Sequence, residues 1–319
     1  IAMQDVLRSV DRPVLIAFGF IVVMLLAGSL YSSNFLSATY LLQQLQVAAF
    51  LGIIASGLML VILLGHIDLS IPWIVTVGGM MSTAAAGWWG EAGVALAIPF
   101  GMLCGLVFGL FNGLGVAFLR IPSMIFTLGV NAVAQGLMVL HTGGFAPQDH
   151  ATDLMHWLAT RHTLGIPNAL FVWLAVGLVI VFILKRTPLG RYVFAIGNRE
   201  GATYLSGVNT RAVLIACFGI SGMCGALAGT MIAGYSTKAY QAMGDPYLLP
   251  AIAAVVLGGT HILGGRGTYL GTVAGVILIS LLQSILSVMQ MPEAGRQVIY
   301  GVVIIVMLLV YGRGERVQG

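Results

Sequence analysis

Uncharged polar side chains that interrupt long apolar segments are the residues of this sequence most able to contact a ligand. Burying such a group without a partner costs roughly 1–3 kcal/mol, so each must bind another side chain, water or a solute. Hydrogen bonding between neighbouring helices is the alternative explanation for each of them. Together with two ionisable residues of a glycine-containing turn, they form the candidate set for a solute path: Gln43, Gln44, His66, Asp68, Asn112, Thr127, Asn131, Gln135 and Gln283.

Histidine and cysteine, which often catalyse reactions or bind metals, show no pattern typical of either role. No pair among the six histidines has the spacing of a metalloprotease, and no serine–histidine–aspartate arrangement stands out. The three cysteines lie inside apolar segments, where packing explains them better than disulfides or metal ligation. A metal site among the histidines of residues 142–167 is the weaker alternative. We predict that the chain is not an enzyme, and we assign it no catalytic residue, no metal and no cofactor.

The first of three glycine-containing motifs, Gly65-His66-Ile67-Asp68-Leu69-Ser70-Ile71-Pro72, separates two apolar segments. A charge at depth in a membrane costs roughly 2.5–3.5 kcal/mol on insertion scales, so Asp68 must cap a helix, pair or face water. Ser70 and Pro72 are typical of a helix start. Asp68 is therefore interpreted either as a helix cap or as part of a broken backbone that lines a conducting path.

The second motif lies in the polar connection 186–211 and includes the run from Gly197 to Val208. Asn198 is predicted to cap a short helix, Glu200 to lie in its first turn and Gly207 to end it. A connection that only joins two helices could be far shorter, although a solvated connector remains the alternative. We predict a docking helix that lies in a groove of a partner, with these contact residues: Asn198, Arg199, Glu200, Ala202, Tyr204, Leu205 and Gly207.

The third motif runs from Ala251 to Gly267 and contains paired glycines at 258–259 and 264–265. It could be mistaken for a phosphate-binding loop, but it lacks the Gly-Lys-Ser/Thr ending, and apolar segments flank it. We find no nucleotide-binding loop, so any use of ATP requires another chain.

The elements that must position these motifs are predicted to be membrane helices. Of the 319 residues, 59% are hydrophobic and 8% are charged, whereas a soluble domain carries about 25% charged residues. A membrane-spanning helix needs about 20 apolar residues, and the spacing of the charges predicts about ten such segments. They cover residues 13–31, 36–64, 71–89, 94–119, 123–141, 168–185, 212–235, 248–264, 268–289 and 297–312. The net charge of +4 comes from basic residues at segment ends, which does not indicate a nucleic-acid partner.

The distribution of lysine and arginine predicts the orientation. Ten crossings place eleven of them on the side of both termini and three on the other side. The positive-inside rule then makes both termini and the loop 186–211 cytoplasmic, and the loop 142–167 lies outside. Residues 1–319 would form a single transmembrane domain.

When the sequence is aligned with itself at an offset of 170 residues, several glycines and prolines coincide. The aligned segments are predicted to cross the membrane in opposite directions, so the match indicates either an inverted repeat or coincidence. The aligned residues are Gly101, Gly105, Pro122 and Gly144 with Gly271, Gly275, Pro292 and Gly314.

In this order, the three motifs resemble the permease subunits of the ribose, xylose, arabinose and galactose group of ATP-binding-cassette (ABC) importers, over essentially the whole chain. The resemblance implies an all-α integral protein of the bacterial inner membrane, with the type II importer fold, that translocates a pentose or hexose. It also implies a cytoplasmic ATPase that binds ATP and Mg²⁺, an external sugar-binding protein and a second permease chain within membrane lipid. Residues 198–207 match the family's cytoplasmic coupling helix.

The sequence departs from the family at two positions. His66 stands where glycine is common, and Gly201 precedes Ala202 where two alanines are common. The same architecture could carry a nucleoside or a branched-chain amino acid instead of a sugar. A rival of another class is an ion-coupled secondary transporter, for which Asp68 would be the candidate ion ligand, and a structural or signalling membrane protein would explain none of the motifs.

Overall fold

The computed structural model describes residues 12–31 and 33–315; Arg8 and Arg316, two of the residues behind the predicted orientation, lie outside these ranges. The described chain is mostly helical. Its helices are α1 (Arg12–Tyr31), α2 (Ala38–Leu63), α3 (Ile71–Leu119), α4 (Ser123–His141), α5 (Asp153–Thr160), α6 (Asn168–Arg186), α7 (Pro188–Leu205), α8 (Thr210–Ser236), α9 (Leu248–Leu257), α10 (Tyr269–Val288) and α11 (Glu293–Glu315). Short 3₁₀ turns span Ser33–Leu36 and Asp245–Tyr247, and strands β1 (His162–Thr163) and β2 (Ile166–Pro167) form an antiparallel pair.

Six of the described helices are long and apolar enough to cross a membrane, by length and composition. They are α2, α3, α4, α6, α8 and α10, and shorter apolar helices span Phe18–Leu30 and Asp245–Leu257. This is consistent with a multi-pass membrane protein, as the composition predicts.

Helix α3 runs for 49 residues but is broken at Gly90, whose backbone dihedrals of φ 55° and ψ −129° are not helical. A straight helix of that length would measure about 73 Å, more than twice the hydrocarbon thickness of a bilayer. The chain instead reverses at Gly90. A Cβ on Gly93 would lie 1.9 Å from the Ala85 carbonyl oxygen, and one on Gly101 would lie 2.7 Å from that of Gly78. The two arms therefore run antiparallel, in agreement with the predicted segments 71–89 and 94–119.

Helix α2 forms the centre of the molecule, because every residue from 48 to 64 is buried. Around it, the arms of α3 pack closely against α8. A Cβ on Gly229 of α8 would lie 1.8 Å from the Val75 carbonyl oxygen, and one on Gly105 would lie 2.4 Å from that of Gly222. Small residues of this kind let helix backbones approach closely in membranes, where dispersion forces rather than water exclusion hold helices together.

The predicted segment 248–264 is too long. Helix α9 ends at Leu257, and Gly259 at φ 89° closes it in the left-handed conformation. The amides of Gly259 and Thr260 donate to the carbonyls of Val256 and Val255, at 2.9 and 3.2 Å, which is the Schellman arrangement. Since Gly264 and Gly265 also have positive φ, the residues after 257 turn rather than continue the helix.

The two long connections lie at opposite ends of the helices. The loop 142–167 contains α5 and the β1–β2 pair, and His150 forms a β-bridge with Lys238 beside it. We call this the outer-loop end. Most of the connection 186–211 is helical, as α7, and we call that side the inner-loop end.

Candidate functional site

A pocket of about 510 Å³ opens near the outer-loop end, between α2, α10, α11 and the segment 240–247. Three candidate path residues meet there, since Gln43 and Gln44 on α2 and Gln283 on α10 all line it. These positions lie 240 residues apart in the chain, yet adjacent helices bring them to one cavity. The structure therefore groups three of the nine candidates into one ligand-sized site.

Several lining residues of this outer pocket were not in the candidate set. Four tyrosines and three serines line it, and Glu293 and Arg296 form an ion pair at 3.2 Å. The tyrosines are Tyr40, Tyr240, Tyr247 and Tyr300, and the serines are Ser280, Ser284 and Ser287. Tyr40 and Ser284 hydrogen-bond across the pocket wall. The signal that could have found them is the cluster of tyrosines and glutamines near the ends of apolar segments.

The outer pocket offers amide, hydroxyl and phenol groups beside aromatic rings, and its two charged residues largely neutralise one another. Such a surface can bind a small, uncharged, polyhydroxylated molecule through several hydrogen bonds and ring contacts. Among the described residues, no three His, Cys, Asp or Glu side chains come together in a way that could hold a metal ion.

Asp68 belongs to a buried polar cluster rather than to this pocket. The amide and hydroxyl of Ser70 donate to Asp68 Oδ1, at 2.9 and 2.5 Å, and Asn112 Nδ2 donates to the Ser70 hydroxyl oxygen at 2.7 Å. All three residues are fully buried. Within the described chain, Asp68 Oδ2 and Asn112 Oδ1 meet no hydrogen-bond partner. Ser70, and not Asp68, is the N-cap of α3, so the predicted cap is wrong by two residues, because Asp68 closes a turn onto Ser70 instead.

Helix α4 holds the Asp68 segment with three side chains spaced four residues apart. The amides of Ile67, Leu69 and Trp73 donate to the side-chain oxygens of Ser123, Thr127 and Asn131, at 3.2, 2.9 and 3.3 Å. Residues at this spacing share one face of a helix. In this structure the side chains of Thr127, Asn131 and Asn112 therefore hydrogen-bond to neighbouring segments of the chain. Such bonding is the alternative that the sequence analysis gave to contact with a solute.

Gln135, four residues beyond Asn131 on α4, is exposed, as are the small residues Gly129, Ala132 and Gly136. A Cβ built at either glycine meets no described atom within 4 Å. An amide facing lipid is costly because hydrocarbon cannot hydrogen-bond to it. The face of α4 that carries these four residues, called the α4 outer face below, is therefore suited to contact protein or water.

A short helix is present where the docking helix was predicted, and we keep that name for residues 199–207; Arg199 starts it and Asn198 does not. Helix α7 is interrupted at Arg199, whose φ of −157° and ψ of 96° are extended, and Thr203 Oγ1 donates to the Arg199 carbonyl at 2.9 Å. Asn198 ends the preceding helical stretch, where its Nδ2 donates to the Phe194 carbonyl at 2.9 Å. The predicted N-cap is one residue early because this side chain bonds backwards along the chain.

Gly207 ends the docking helix as predicted. It has φ 85°, its amide donates to the Tyr204 carbonyl at 3.0 Å, and the Val208 amide donates to the Thr203 carbonyl at 3.4 Å. This pattern is a Schellman motif. Tyr204 and Leu205 are 65% and 85% exposed, so a large apolar surface lies free on the helix tip.

His66 lies beside the docking helix instead of the outer pocket. Together with Glu200, Tyr204, Arg120 and Arg211 it lines a second cavity of about 780 Å³ at the inner-loop end. Burial lowers the pKa of His66, and the nearby Glu200 carboxylate partly opposes that shift. The imidazole is therefore neutral near pH 7.

Comparison with known proteins gives the family of the chain. Residues 40–308 match the family described as permease components of the branched-chain amino acid transport system. The ribose import permease protein of Haemophilus influenzae is 32% identical over 297 residues, which cover 92% of this chain and 91% of that protein. That of Bacillus subtilis is 33% identical, covering 90% and 89%. The autoinducer 2 import system permease protein of Yersinia pestis (strain Pestoides F) is 35% identical, covering 83% and 75%. No solved structure matches the chain significantly.

Proposed function

Since this chain belongs to the family of permease components of the branched-chain amino acid transport system, we propose that it translocates a monosaccharide, a pentose or hexose, through the outer pocket. It is the membrane-spanning subunit of an ABC importer in the bacterial inner membrane and not an enzyme; ATP hydrolysis resides in a separate chain. The observation that carries the sugar assignment is the similarity, along nearly the full length, to two ribose import permeases. The tyrosines, glutamines and serines of the outer pocket support it.

A branched-chain amino acid is the competing cargo because the family's description names it. Such a molecule needs separate partners for its ammonium and carboxylate groups as well as an apolar cleft. In the outer pocket, Glu293 and Arg296 pair with each other at 3.2 Å, and the other polar lining residues are neutral. This composition favours a sugar.

We place the outer-loop end outside the cell and the inner-loop end in the cytoplasm. The support is the excess of basic residues at the inner-loop end and the docking helix found there. A soluble sugar-binding protein would then deliver substrate to the outer-loop end, and the ATPase would contact residues 199–207 at the other end. ATP and Mg²⁺ would bind in that ATPase.

Ten crossings arranged as an inverted repeat remain part of the proposal. The 170-residue offset between the two halves gains support from packing, because the two glycines of one aligned pair make equivalent contacts. Gly101 packs on the Gly78 carbonyl of the arm before it, and Gly271 packs on the Gly258 carbonyl at the end of the helix before it. Equivalent close contacts in two halves are expected of repeated units.

A second permease chain, identical or homologous, would cover the α4 outer face. The amide of Gln135 needs hydrogen-bond partners that lipid cannot supply. Gly129, Ala132 and Gly136, three or four residues apart, form a stripe of small residues, and the space above the two glycines leaves room for a helix to approach closely.

Co-purification with the ATPase tests the coupling assignment. In the double variant Glu200→Ala, Tyr204→Ala, the detergent-solubilised chain should lose the ATPase, because an acidic side chain and an exposed ring leave the docking helix. The matched control is Glu91→Ala, Phe145→Ala at the outer-loop end, where both residues are exposed, and it should retain the ATPase. Sugar transport by the intact chain with no ATPase attached would contradict the importer proposal. Ion-coupled transport would then be the better explanation.

The cargo is tested by uptake of a labelled pentose into vesicles that contain the complete importer and its binding protein. Other unlabelled sugars should compete, and leucine or a nucleoside should not. Competition by leucine alone would replace the sugar assignment with the amino acid.

A further inference from the structure

The second and third glycine-containing motifs meet at the carbonyl oxygen of Leu63, at the end of α2 and two residues before the first motif. The Gly265 amide donates to this oxygen at 2.9 Å. A Cβ on Gly264 would lie 2.8 Å from the same oxygen, and one on Gly197 would lie 2.0 Å from it. Residues of two distant stretches therefore approach a single backbone atom of a third.

Further contacts close this cluster, which we call the glycine joint: Leu63, Gly65, Gly197, Asn198, Gly264 and Gly265. A Cβ on Gly65 would lie 2.8 Å from the Leu263 carbonyl oxygen, and one on Gly265 would lie 2.7 Å from Asn198 Oδ1. Asn198 Nδ2 lies 3.5 Å from the Gly265 carbonyl oxygen while it donates to that of Phe194.

Glycine is required at the joint for two separate reasons. Gly65, Gly264 and Gly265 have φ of 81°, 93° and 77°, a region that other residues enter only with strain. Gly197 is helical, but its Cβ would also lie 2.3 Å from the Gly265 amide nitrogen. The close contacts of Gly65, Gly197 and Gly264 are made with backbone atoms, which cannot rotate away as a side chain does. The joint is therefore stiff.

The two helices that extend from the joint also line the outer pocket. Helix α2 ends at the joint and carries Gln43 and Gln44 about 30 Å away. Helix α10 begins at Tyr269, four residues after Gly265, and carries Gln283 at its other end.

Hydrogen bonds tie these two helices together along their length. Ser56 and Tyr269 share one at 2.9 Å, and Thr272 Oγ1 donates to Met59 Sδ at 3.1 Å. Tyr40 and Ser284 pair at the pocket end. Helices α2 and α10 therefore form one bonded pair between the joint and the pocket.

We propose that the glycine joint transmits movement of the docking helix to the α2–α10 pair, so that ATPase closure reshapes the outer pocket, with Gly197 and Asn198 as the positioning residues. The proposal rests on the docking role proposed above for residues 199–207. Asn198 ends the stretch that touches Leu63 and immediately precedes the break at Arg199, so a displacement of the docking helix reaches the joint within one residue.

The test uses the complete importer in lipid vesicles, with three measurements: ATPase co-purification, ATP hydrolysis and labelled pentose uptake. In Gly197→Ala the added methyl pushes α7 away from Leu63 and Gly265. The complex should still assemble and hydrolyse ATP, whereas the ATP consumed per sugar imported should rise about tenfold, a size typical of coupling between distant sites.

Asn198→Ala covers the possibility that Gly197→Ala does not fold. It removes the amide without adding volume and should raise the same ratio several-fold. Gly19→Ala is the control, because no described atom lies within 4 Å of a Cβ at that position of α1, and its ratio should be unchanged.

The possible outcomes distinguish a failure of the glycine joint from a failure of the docking role on which it rests. Wild-type chain that does not bind an ATPase contradicts the docking role. Assembled Gly197→Ala and Asn198→Ala importers with the wild-type ratio would overturn the joint while leaving the docking role intact. A parallel loss of hydrolysis and uptake would also overturn it, since that result indicates defective docking rather than lost transmission.

Discussion

At the scale of single residues, Asp68 shows how an acid is accommodated inside a membrane protein. It is fully buried in the connection between α2 and α3, and it accepts two hydrogen bonds from Ser70. Burial raises the pKa of this carboxyl to about 6, and the hydrogen bonds from Ser70 oppose that shift. The folded chain therefore binds a proton at this site more readily than the unfolded chain does.

A stability prediction follows from the raised pKa of Asp68. For such a group the stabilisation is complete below the unfolded pKa of 3.8 and is lost as pH rises through about 6. Lowering the pH from about 7.5 to about 5 should therefore raise the Tm of the wild type relative to Asp68→Asn, which does not titrate there. The full shift in the pKa of Asp68 corresponds to about 2–3 kcal/mol of stability, which is the upper limit of this effect. Thermal unfolding in detergent measures it.

The comparison with Asp68→Asn also removes the contribution of His66. That residue has a lowered pKa, so its protonation destabilises the fold as pH falls, but it is present in both proteins. A Tm difference that shrinks on acidification would instead mean that the ionised carboxylate is stabilised, as an ion-binding site would require.

At the scale of elements, the docking helix is short and contains a destabilising glycine in its first turn. Only residues 200–205 follow the break at Arg199, and Gly201 is among them. Glycine lowers helix stability because it has more conformational freedom to lose. Arg199 and the Schellman motif at Gly207 set the ends of this helix, but its middle depends on intrinsic propensity.

Replacing Gly201 with alanine should stabilise this helix by up to about 1 kcal/mol, because no described atom lies within 4 Å of the added Cβ. If the helix must be ordered to dock, affinity for the ATPase should rise by up to about fivefold. Titration of purified ATPase onto detergent-solubilised permease measures the change, with Gly19→Ala as the control. Weaker binding would show that the ATPase packs against Gly201 itself.

At the scale of the whole molecule, the outward surface of α4 carries a polar side chain and open glycines among exposed apolar residues such as Ile125 and Leu128. Outward residues of α6, such as Leu174, Leu178 and Phe182, are apolar and about 60% exposed, which suits lipid. The α4 outer face instead combines the amide of Gln135 with small residues, two of them open glycines. A polar side chain within a spanning segment is found where the helix meets protein or a water-filled cavity.

Cross-linking tests whether a second permease covers this face. With Cys104, Cys217 and Cys224 replaced by alanine, Gln135→Cys should form a disulfide-linked dimer on mild oxidation of membranes, because two copies of α4 would face each other. Leu178→Cys on α6 is the control and should stay monomeric. Denaturing electrophoresis reads the result, and equal cross-linking at both positions would indicate random collision instead of an interface.

Much of this protein can be predicted from its sequence because the decisive signals are local. Apolar runs of about 20 residues define spanning helices, and all but one of the predicted segments agree with described helices to within a few residues. The exception, 248–264, fails because the paired glycines that follow Leu257 form turns. The order of the three motifs was enough to indicate the family, which the comparisons confirmed.

Only the tertiary structure decided which polar residues act together. Gln43 and Gln283 share a pocket, whereas Asn112, Thr127 and Asn131 hold the Asp68 segment in place. The sequence had left open, for each residue, a choice between contacting a solute and bonding to a neighbouring helix. Likewise, the meeting of Leu63, Gly197 and Gly265 cannot be predicted from their motifs separately. The physical reason is that helix positions follow from spacing along the chain, while these contacts depend on how the helices pack, which the spacing of residues in one sequence does not specify.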